Sequence, residues 1–460
     1  MSAYDGLPGE WELVVGLEVH VELATATKLF SASPNRFGDE PNTNIDPVTL
    51  GLPGALPVLN EQAVELAMRV GAALHCTIQP CTFHRKNYFY PDMPKAYQVS
   101  QYDQPLNADG YLDLPNGVRV GIERAHMEED AGKSTHVGGS GGRVHGATAS
   151  LIDLNRAGVP LVEIVSRPDI RSADDARAYV AELRAILLAI GASDAKMEEG
   201  SMRVDANVSV RSVGRAINYE ARRQIDLIES GDAVRQQTRH WDEGDGRTHT
   251  LRTKEDADDY RYFLEPDLVP LVPSQEWIDR VHASLPLLPA ARRARLADAT
   301  AQPADSDAVT SAVERGQDDY VLAVAAAGGN AQRALVYVKE AFAEQGEAPS
   351  VPAADVAALT LLETGGALTA TQAKAVLADL VANGGGDPAA IAAARGFEAM
   401  DTSALEGFVD AAIAADPDAW QKFCGGDGKA MGALVGLVMK ASKGQADGKL
   451  VTQLLNRKKG

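Results

Sequence analysis

LVVGLEVHVEL, residues 13–23, alternates strictly when laid out as a strand. Leu13, Val15, Leu17, Val19, Val21 and Leu23 point one way, and Glu18, His20 and Glu22 point the other. The first row predicts a strand with one face in a core. The second sets a carboxylate on each side of an imidazole, about 7 Å away at a strand's rise. Two readings fit that polar row: a solvated edge face, or part of a cation or acid/base site. Both stay open on this strand alone.

Working outward, 460 residues suffice for about three domains. A hydrophobic content of 45% supports a real core. The longest apolar runs, at 185–190 and 433–439, are far shorter than a membrane span, so no membrane partner is expected. The opening MSAYDGLPGE has neither a basic patch nor an apolar core, so no signal peptide is expected. Cys76, Cys81 and Cys424 cannot build a disulfide framework, which predicts a reducing, cytoplasmic setting. A net charge of −20 argues against a general nucleic-acid binder. That charge is uneven. From Gln421 onward Lys422, Lys429, Lys440, Lys443, Lys449, Arg457, Lys458 and Lys459 outnumber Asp427 and Asp447. This tail predicts a local phosphate-binding surface or a solubilising helix end.

The first 270 or so residues carry alternating patterns, with strands expected at 48–58, 118–122, 159–165 and 203–210. One helix is clear there. Ser172 can cap it, Asp175 lies at the positive end of its dipole, and Ala176, Tyr179, Val180, Leu183, Ile186, Leu187 and Ile190 form one apolar stripe before Gly191. After Pro273 aromatics thin out and alanine dominates. Short helices broken by Gly or Pro are expected, one starting at Arg292 and another over 371–382 with a Thr start. Gly384-Gly385-Gly386-Asp387-Pro388 reads as a hinge or turn. The expected class is α+β: a β-rich N-terminal domain, an all-helical middle, and a small helical tail from near residue 400.

Several clusters could carry chemistry. Glu163 interrupts the apolar run 159–165, and a carboxylate in a core strand must be paired, protonated or metal-bound. The plain alternative is a strand-end Glu that reaches solvent. His126-Met127-Glu128-Glu129-Asp130 is a second acidic cluster, in which His126 and Glu128 share a strand face and Glu129 takes the other. Oxygen-rich sites suit Mg²⁺ with a nucleotide's phosphates, and an added imidazole leans toward Mn²⁺ or Zn²⁺. Gly132-Lys133-Ser134-Thr135 resembles the end of a phosphate loop, but the upstream glycine position holds Met127, which leaves Lys133 as a point charge or an exposed lysine. Residues 85–95 set Tyr88, Phe89 and Tyr90 among Arg85, Lys86 and Lys95, which suits a base and its phosphates or a hairpin with packed rings. A further mixed cluster runs from Arg252 and Lys254 to Tyr262. No Ser-His-Asp order or cysteine nucleophile stands out. Cys76 and Cys81, with His75 and His84 nearby, read better as buried thiols than as a zinc site.

The ordered set VVGLEVHVEL, LGLPGALPVLN, RKNYFYPDMPKAYQVSQYDQP, HMEEDAGKSTH, LIDLNRAGVPLVEIVS, DANVSVR, DDYRYF and GLVMKASKGQAD closely resembles the B subunits of aspartyl/glutamyl-tRNA amidotransferase, from end to end. The resemblance implies a cradle domain over 1–290, a helical domain over 291–400 and a YqeY-like tRNA-binding tail over 401–460. It implies ATP-dependent phosphorylation of the side-chain carboxylate of mischarged Glu-tRNA(Gln) or Asp-tRNA(Asn), then displacement of phosphate by ammonia. The implied partners are an amidase (glutaminase), which supplies the ammonia, and a small third protein, which braces the pair. Glu18, His20, Glu128 and Glu163 then become the catalytic set. His20, Glu128, Glu129 and Glu163 become ligands of Mg²⁺, in a region that also gates ammonia. Lys86, Tyr90, Lys95, Lys133, Arg252 and Lys254 become ATP or substrate contacts, and Lys440, Lys443 and Lys449 become tRNA contacts.

Three departures matter. Ser31, Ser33, Asp46 and Thr49 stand where many members have zinc-binding cysteines, so no zinc is expected. Leu264 stands where Pro is usual. After Arg211 the chain passes almost directly to Ala216, and a cradle segment of the family has no counterpart. That gap leaves a second expectation: a non-catalytic tRNA-binding or assembly subunit. A metal-dependent hydrolase would use the acidic strands but would leave the helical region and the tail without a role.

Overall fold

The alternation in residues 13–23 is realised as strand β1, Val15–Glu22, whose inward residues Val15, Leu17, Val19 and Val21 are fully buried. This computed structural model describes residues 13–138, 147–208, 215–234, 237–242, 246–253, 260–342, 349–397, 402–442, 446 and 448–459. The chain divides into two units, Met1–Pro289 and Ala290–Gly460.

In unit 1, β1 is followed by helix α1 (Glu61–Ala73) and strands β2 (Thr77–Ile78), β3 (His84–Asn87), β4 (Tyr97–Ser100), β5 (Asn107–Asp113), β6 (Arg119–Glu129), β7 (Lys133–Val137), β8 (Ala149–Asp153) and β9 (Pro160–Ser166). Helix α2 (Ala173–Ala189), β10 (Met202–Val208), α3 (Arg215–Glu229), β11 (Gln237–Asp242), β12 (Arg247–Thr253), β13 (Phe263–Leu264) and α4 (Gln275–Ser284) complete it. Nine strands form one sheet in the order β10-β1-β9-β6-β4-β3-β13, with β5 and β2 joined beside β6. All its pairs are antiparallel. The apolar sheet face shares one core with residues of α1 and α2, including Val64, Leu66, Met68, Tyr179, Leu183 and Leu187.

The sequence explains both covering helices. Ser172 caps α2 by accepting from Asp175 N, and the expected stripe is buried except for half-buried Val180. Helix α1 escaped the sequence reading. Asn60 caps it, and Gly71 lets it approach β5 closely: a Cβ at Gly71 would lie 2.0 Å from Asn107 Oδ1. Residues 48–58 are not a strand but a series of turns. Pro47, Pro53 and Pro57 withhold strand donors, and Gly51 and Gly54 adopt φ of 64° and 86°, so the apolar alternation cannot be extended. The residues 85–95 lie in a hairpin, with Asn87 opposite Tyr97.

Unit 2 is helical among its described residues, with two separate cores. One gathers Leu296, Val313, Leu335, Phe342, Leu359, Val376 and Leu380; the other gathers Leu405, Val409, Phe423, Leu434, Val451 and Leu455. The helix expected over 371–382 runs Ala370–Asn383, and its cap is Thr369. Thr369 wins over Thr371 because Gln372, three residues on, closes a reciprocal capping box. Gly384 ends that helix in the left-handed region, and Asp387 caps the next one, Pro388–Ala394. No helix of the described residues is long and apolar enough to cross a membrane.

Candidate active site on the polar face of the sheet

Strand register brings together residues far apart in the chain. His20 on β1 lies opposite Glu163 on β9, and Glu163 lies opposite His126 on β6. On the other side of β1, His20 faces Arg203 of β10. The next row sets Glu128 of β6 opposite Ser100 of β4. Because side chains alternate with period two, these residues share one sheet face.

His20 Nε2 is 3.1 Å from Glu163 Oε2 and 3.9 Å from Glu128 Oε1. His126 Nε2 is 3.8 Å from Glu128 Oε2 and 4.0 Å from Glu163 Oε2. Ser100 Oγ donates to Glu128 Oε2 at 3.1 Å. Burial works against an imidazolium at His20, but the Glu163 hydrogen bond and charge, helped by Glu128, outweigh it and raise the pKa to about 9. Burial would also raise Glu163. The neighbouring His126 and His20, with Lys86, instead hold it well below the usual carboxylate range. For Glu128 the burial penalty is overcome by Lys86 and His126, and its pKa is lowered. Lys86 is half-buried on β3, and its ammonium makes no ion pair or hydrogen bond among the described residues. Its ammonium lies 4.9 Å over the Tyr260 ring; burial opposes its charge, but Glu128 above all raises its pKa.

The donor atoms of His20, Glu128 and Glu163 all lie within 4.8 Å of one another. Ligands on opposite sides of Mg²⁺ are about 4.2 Å apart, so a small contraction would fit a divalent cation. Two carboxylates with one imidazole suit Mg²⁺, and Mn²⁺ or Zn²⁺ at least as well. The buried His126 Nδ1 has no hydrogen-bond partner among the described residues, a sign that this polar cluster is not internally saturated.

The other expected site residues fall elsewhere. Glu129 is not in the cluster. It is ion-paired with buried Lys95 and accepts from Val99 N at 2.8 Å, because strand alternation turns it away from Glu128. Lys95 is therefore a structural partner of Glu129, and its ammonium also lies 5.1 Å from the Tyr97 ring. Glu18 accepts from Asn207 Nδ2 at 2.6 Å, one step along β1 from the cluster. Tyr90 is exposed and packs on Tyr88, with ring centroids 4.7 Å apart. Arg252 lies on β12 opposite Thr238, its side chain outside the described residues, as are Lys254 and Lys443. Lys440 is exposed in the last turn of helix Gly428–Ala441, and Lys449 lies in helix Gly448–Lys459, its side chain outside the described residues. Arg457 and Lys458 are tied to Glu406 and Asp410, so part of the basic tail is internally neutralised.

Two residues were underrated from sequence. His126 could have been found from its shared face with Glu128. Arg203 could not, because only strand register sets it opposite His20. Arg203 Nη2 reaches Asp130 Oδ2 at 2.7 Å, and Arg156 Nε lies 3.5 Å from the same atom. Beside them Glu22 is pushed up to about 8, by burial first and then by the charge of Asp130. A cavity of about 460 Å³ opens here, bounded by Glu22, Lys133, Arg156 and the turn Met197–Gly200.

At the four positions noted for zinc, Thr49 N donates to Asp46 Oδ1 at 2.8 Å and Ser33 N to Ser31 Oγ at 3.3 Å. The set offers hydroxyls and one carboxylate, without thiolate or imidazole, and does not fit a structural zinc.

The family profile described as the GatB/GatE catalytic domain matches residues 13–279, and a GatB domain profile matches 310–458. A protein of Frankia casuarinae, named as the B subunit of aspartyl/glutamyl-tRNA(Asn/Gln) amidotransferase, is 47% identical, covering 100% of this chain and 98% of its own. Proteins of the same name from Corynebacterium glutamicum and Nocardia farcinica are 45% and 47% identical, over 99% and 98% of this chain and 99% and 97% of theirs. The cross-strand carboxylate–imidazole cluster thus lies inside a matched catalytic domain, and the chain belongs to the GatB/GatE family, among the B subunits of aspartyl/glutamyl-tRNA(Asn/Gln) amidotransferase.

Proposed function

We propose that this chain is the kinase and transamidase component of a tRNA-dependent amidotransferase, acting on Glu-tRNA(Gln), Asp-tRNA(Asn) or both. The observation that carries this reading is the cluster of His20, Glu163 and Glu128 on the polar face of the catalytic domain's sheet. In the first step a side-chain carboxylate oxygen attacks the γ-phosphorus of ATP and ADP leaves. In the second, ammonia attacks the acyl carbon, phosphate leaves, and the nitrogen gives up a proton. His20, Glu128 and Glu163 would hold a Mg²⁺ ion, which when bound supplies charge neutralisation for phosphoryl transfer. Lys86, with its donors uncommitted beside Glu128, offers N–H groups to a phosphoryl oxygen. Without the ion, the 3.1 Å contact of His20 Nε2 with Glu163 holds a proton between them, and that proton must leave before Nε2 can serve as a ligand.

A glutaminase partner supplies the ammonia. A small third protein completes the complex, and the tRNA body lies on Lys440, Lys443 and Lys449. Residues 1–290 serve as the cradle, 291–400 as the helical connector and 401–460 as the tRNA-binding tail. The test is conversion of Glu-tRNA(Gln) to Gln-tRNA(Gln) by the chain co-purified with its glutaminase partner, with ATP and ammonia. Turnover is expected; normal tRNA binding without conversion would sink the enzyme reading. That outcome favours the second reading, a non-catalytic tRNA-binding or assembly subunit. One observation supports it: the alignment with the Frankia protein spans 495 positions against 460 residues here, so the relative carries residues with no counterpart.

A further inference from the structure

A lysine that must meet a phosphoryl oxygen carries its ammonium on a long flexible stem. Pairing it with a carboxylate would hold it still, but would occupy the N–H groups the oxygen needs. The Lys86 ammonium is held by other means. It lies 4.9 Å over the Tyr260 ring and makes no ion pair or hydrogen bond among the described residues, although Glu128 and Glu163 both act on its charge. An aromatic face attracts a cation through its quadrupole and uses up no N–H group.

The ring is itself fixed in place. Strand β13 pairs with β3, setting Phe263 opposite Arg85 and Leu264 opposite His84, which brings the segment Tyr260–Tyr262 alongside Lys86 and Asn87. Asn87 Nδ2 donates to the carbonyl of Tyr260 at 2.8 Å and to that of Arg261 at 3.0 Å. Arg261 takes a φ of 47°, a left-handed conformation that is costly for a residue with a Cβ and persists only where bonds such as these impose it. Tyr262 lies edge-on to Tyr260, with ring centroids 6.0 Å apart, and stacks on Tyr102 at 4.4 Å with the rings 8° from parallel. Burial pushes the Tyr262 hydroxyl up to about 12 against the pull of Lys86, so it stays a neutral phenol and offers the ammonium no tyrosinate to pair with.

We infer that Tyr260 is a positioning residue for phosphoryl transfer: its ring face holds the Lys86 ammonium beside Glu128 while leaving the N–H groups available to a phosphoryl oxygen. This rests on the reading of Lys86 as a phosphoryl contact above. A side chain that only packed the edge of the sheet would need bulk at position 260. One that aims a cation needs a π face there, and the two demands separate under substitution.

The test uses the complex with its glutaminase partner and exogenous ammonia. Tyr260→Leu keeps an apolar side chain and removes the π face; it is expected to lower kcat/KM for ATP roughly tenfold while KM for Glu-tRNA stays unchanged. Tyr260→Phe keeps the face and should stay within about threefold of wild type. On top of Lys86→Met, Tyr260→Leu should cost no more than about twofold further, because it acts through the ammonium. A full-rate Tyr260→Leu, a Tyr260→Phe as poor as Tyr260→Leu, or an undiminished loss on top of Lys86→Met would overturn the inference and leave the Lys86 reading standing. Lys86→Met at the wild-type rate would overturn both. If the wild-type complex does not turn over, the transamidation reading fails, while calorimetric binding of the non-hydrolysable ATP analogue adenylyl-imidodiphosphate still decides the role of Tyr260. Lys86→Met and Tyr260→Leu should weaken that binding alike and Tyr260→Phe should not; equal affinity in wild type and all three variants would overturn the inference.

Discussion

The carboxylate–imidazole cluster of unit 1 and the ion pairs of unit 2 handle charge in opposite ways. On the sheet of unit 1, Glu128 and Glu163 face each other's neighbourhood from different strands, with two histidines close by and Lys86 uncommitted. In unit 2, carboxylates are closed off in local bidentate pairs: Asp318 is fully buried and bound by Arg292 and Arg295, and Arg333 and Arg395 bind Glu363 and Asp379. A fold seeking only stability would settle like charges as unit 2 does, because an incompletely paired buried charge costs several kcal/mol. Keeping carboxylates crowded around an open donor set is what a cation or phosphoryl site requires. The contrast teaches that the same residue types can be closed off in pairs, as in unit 2 and in the Arg85–Glu265 and Lys95–Glu129 pairs of unit 1, or left crowded and open, as at Glu128 and Glu163.

Substitutions can break that contrast from either side. The largest effect is expected for Glu128→Gln, which keeps shape and removes charge. Activity of the complex should fall at least about a hundredfold, with the thermal unfolding temperature little changed. A stable, fully active variant would make Glu128 a structural residue like those of unit 2. Next, Asp318→Ala removes the buried carboxylate that Arg292 and Arg295 share. Unit 2 should lose about 3 kcal/mol, a drop of roughly 10 °C in the melting of its transition, while the amidation rate measured below that transition persists. A large rate loss without a melting shift would reverse the assignment. The smallest effect compares thiols. Burial pushes Cys76 and Cys81 of unit 1 up to about 12, so at pH 8 they stay protonated and unreactive, whereas exposed Cys424 of unit 2 should be alkylated by iodoacetamide. Mass spectrometry of the intact chain should show one adduct before unfolding and three after it. Labelling of Cys76 or Cys81 in the native state would mean the core of unit 1 opens more readily than its packing indicates.

Much of the fold was legible because β1, β9 and α2 are written in strong periodicities that tertiary packing had no reason to override. The misreadings have local causes. Residues 48–58 alternate in polarity, but their glycines and prolines dictate turns. Helix α1 is hidden by Gly71, whose role emerges only once Asn107 lies against it. For the site, Glu163 was conspicuous as a carboxylate in an apolar run, and His20 by its flanking acids. The pairing of His20 with Glu163 was not legible, because antiparallel register joins residues more than a hundred positions apart and leaves no mark on either segment. The same holds for Glu129: alternation separates it from Glu128, but only the structure reveals Lys95 as its partner.

The central claim is that His20 and Glu163 act as one unit across the β1–β9 register. It is tested most directly by kcat/KM for ammonia-dependent amidation of Glu-tRNA(Gln) in His20→Ala, Glu163→Gln and the double variant, each in the complex. Each single change should cost at least about a hundredfold, and the double variant should be no more than a few-fold worse than either. Losses that multiply, or a single variant near the wild-type rate, would contradict it.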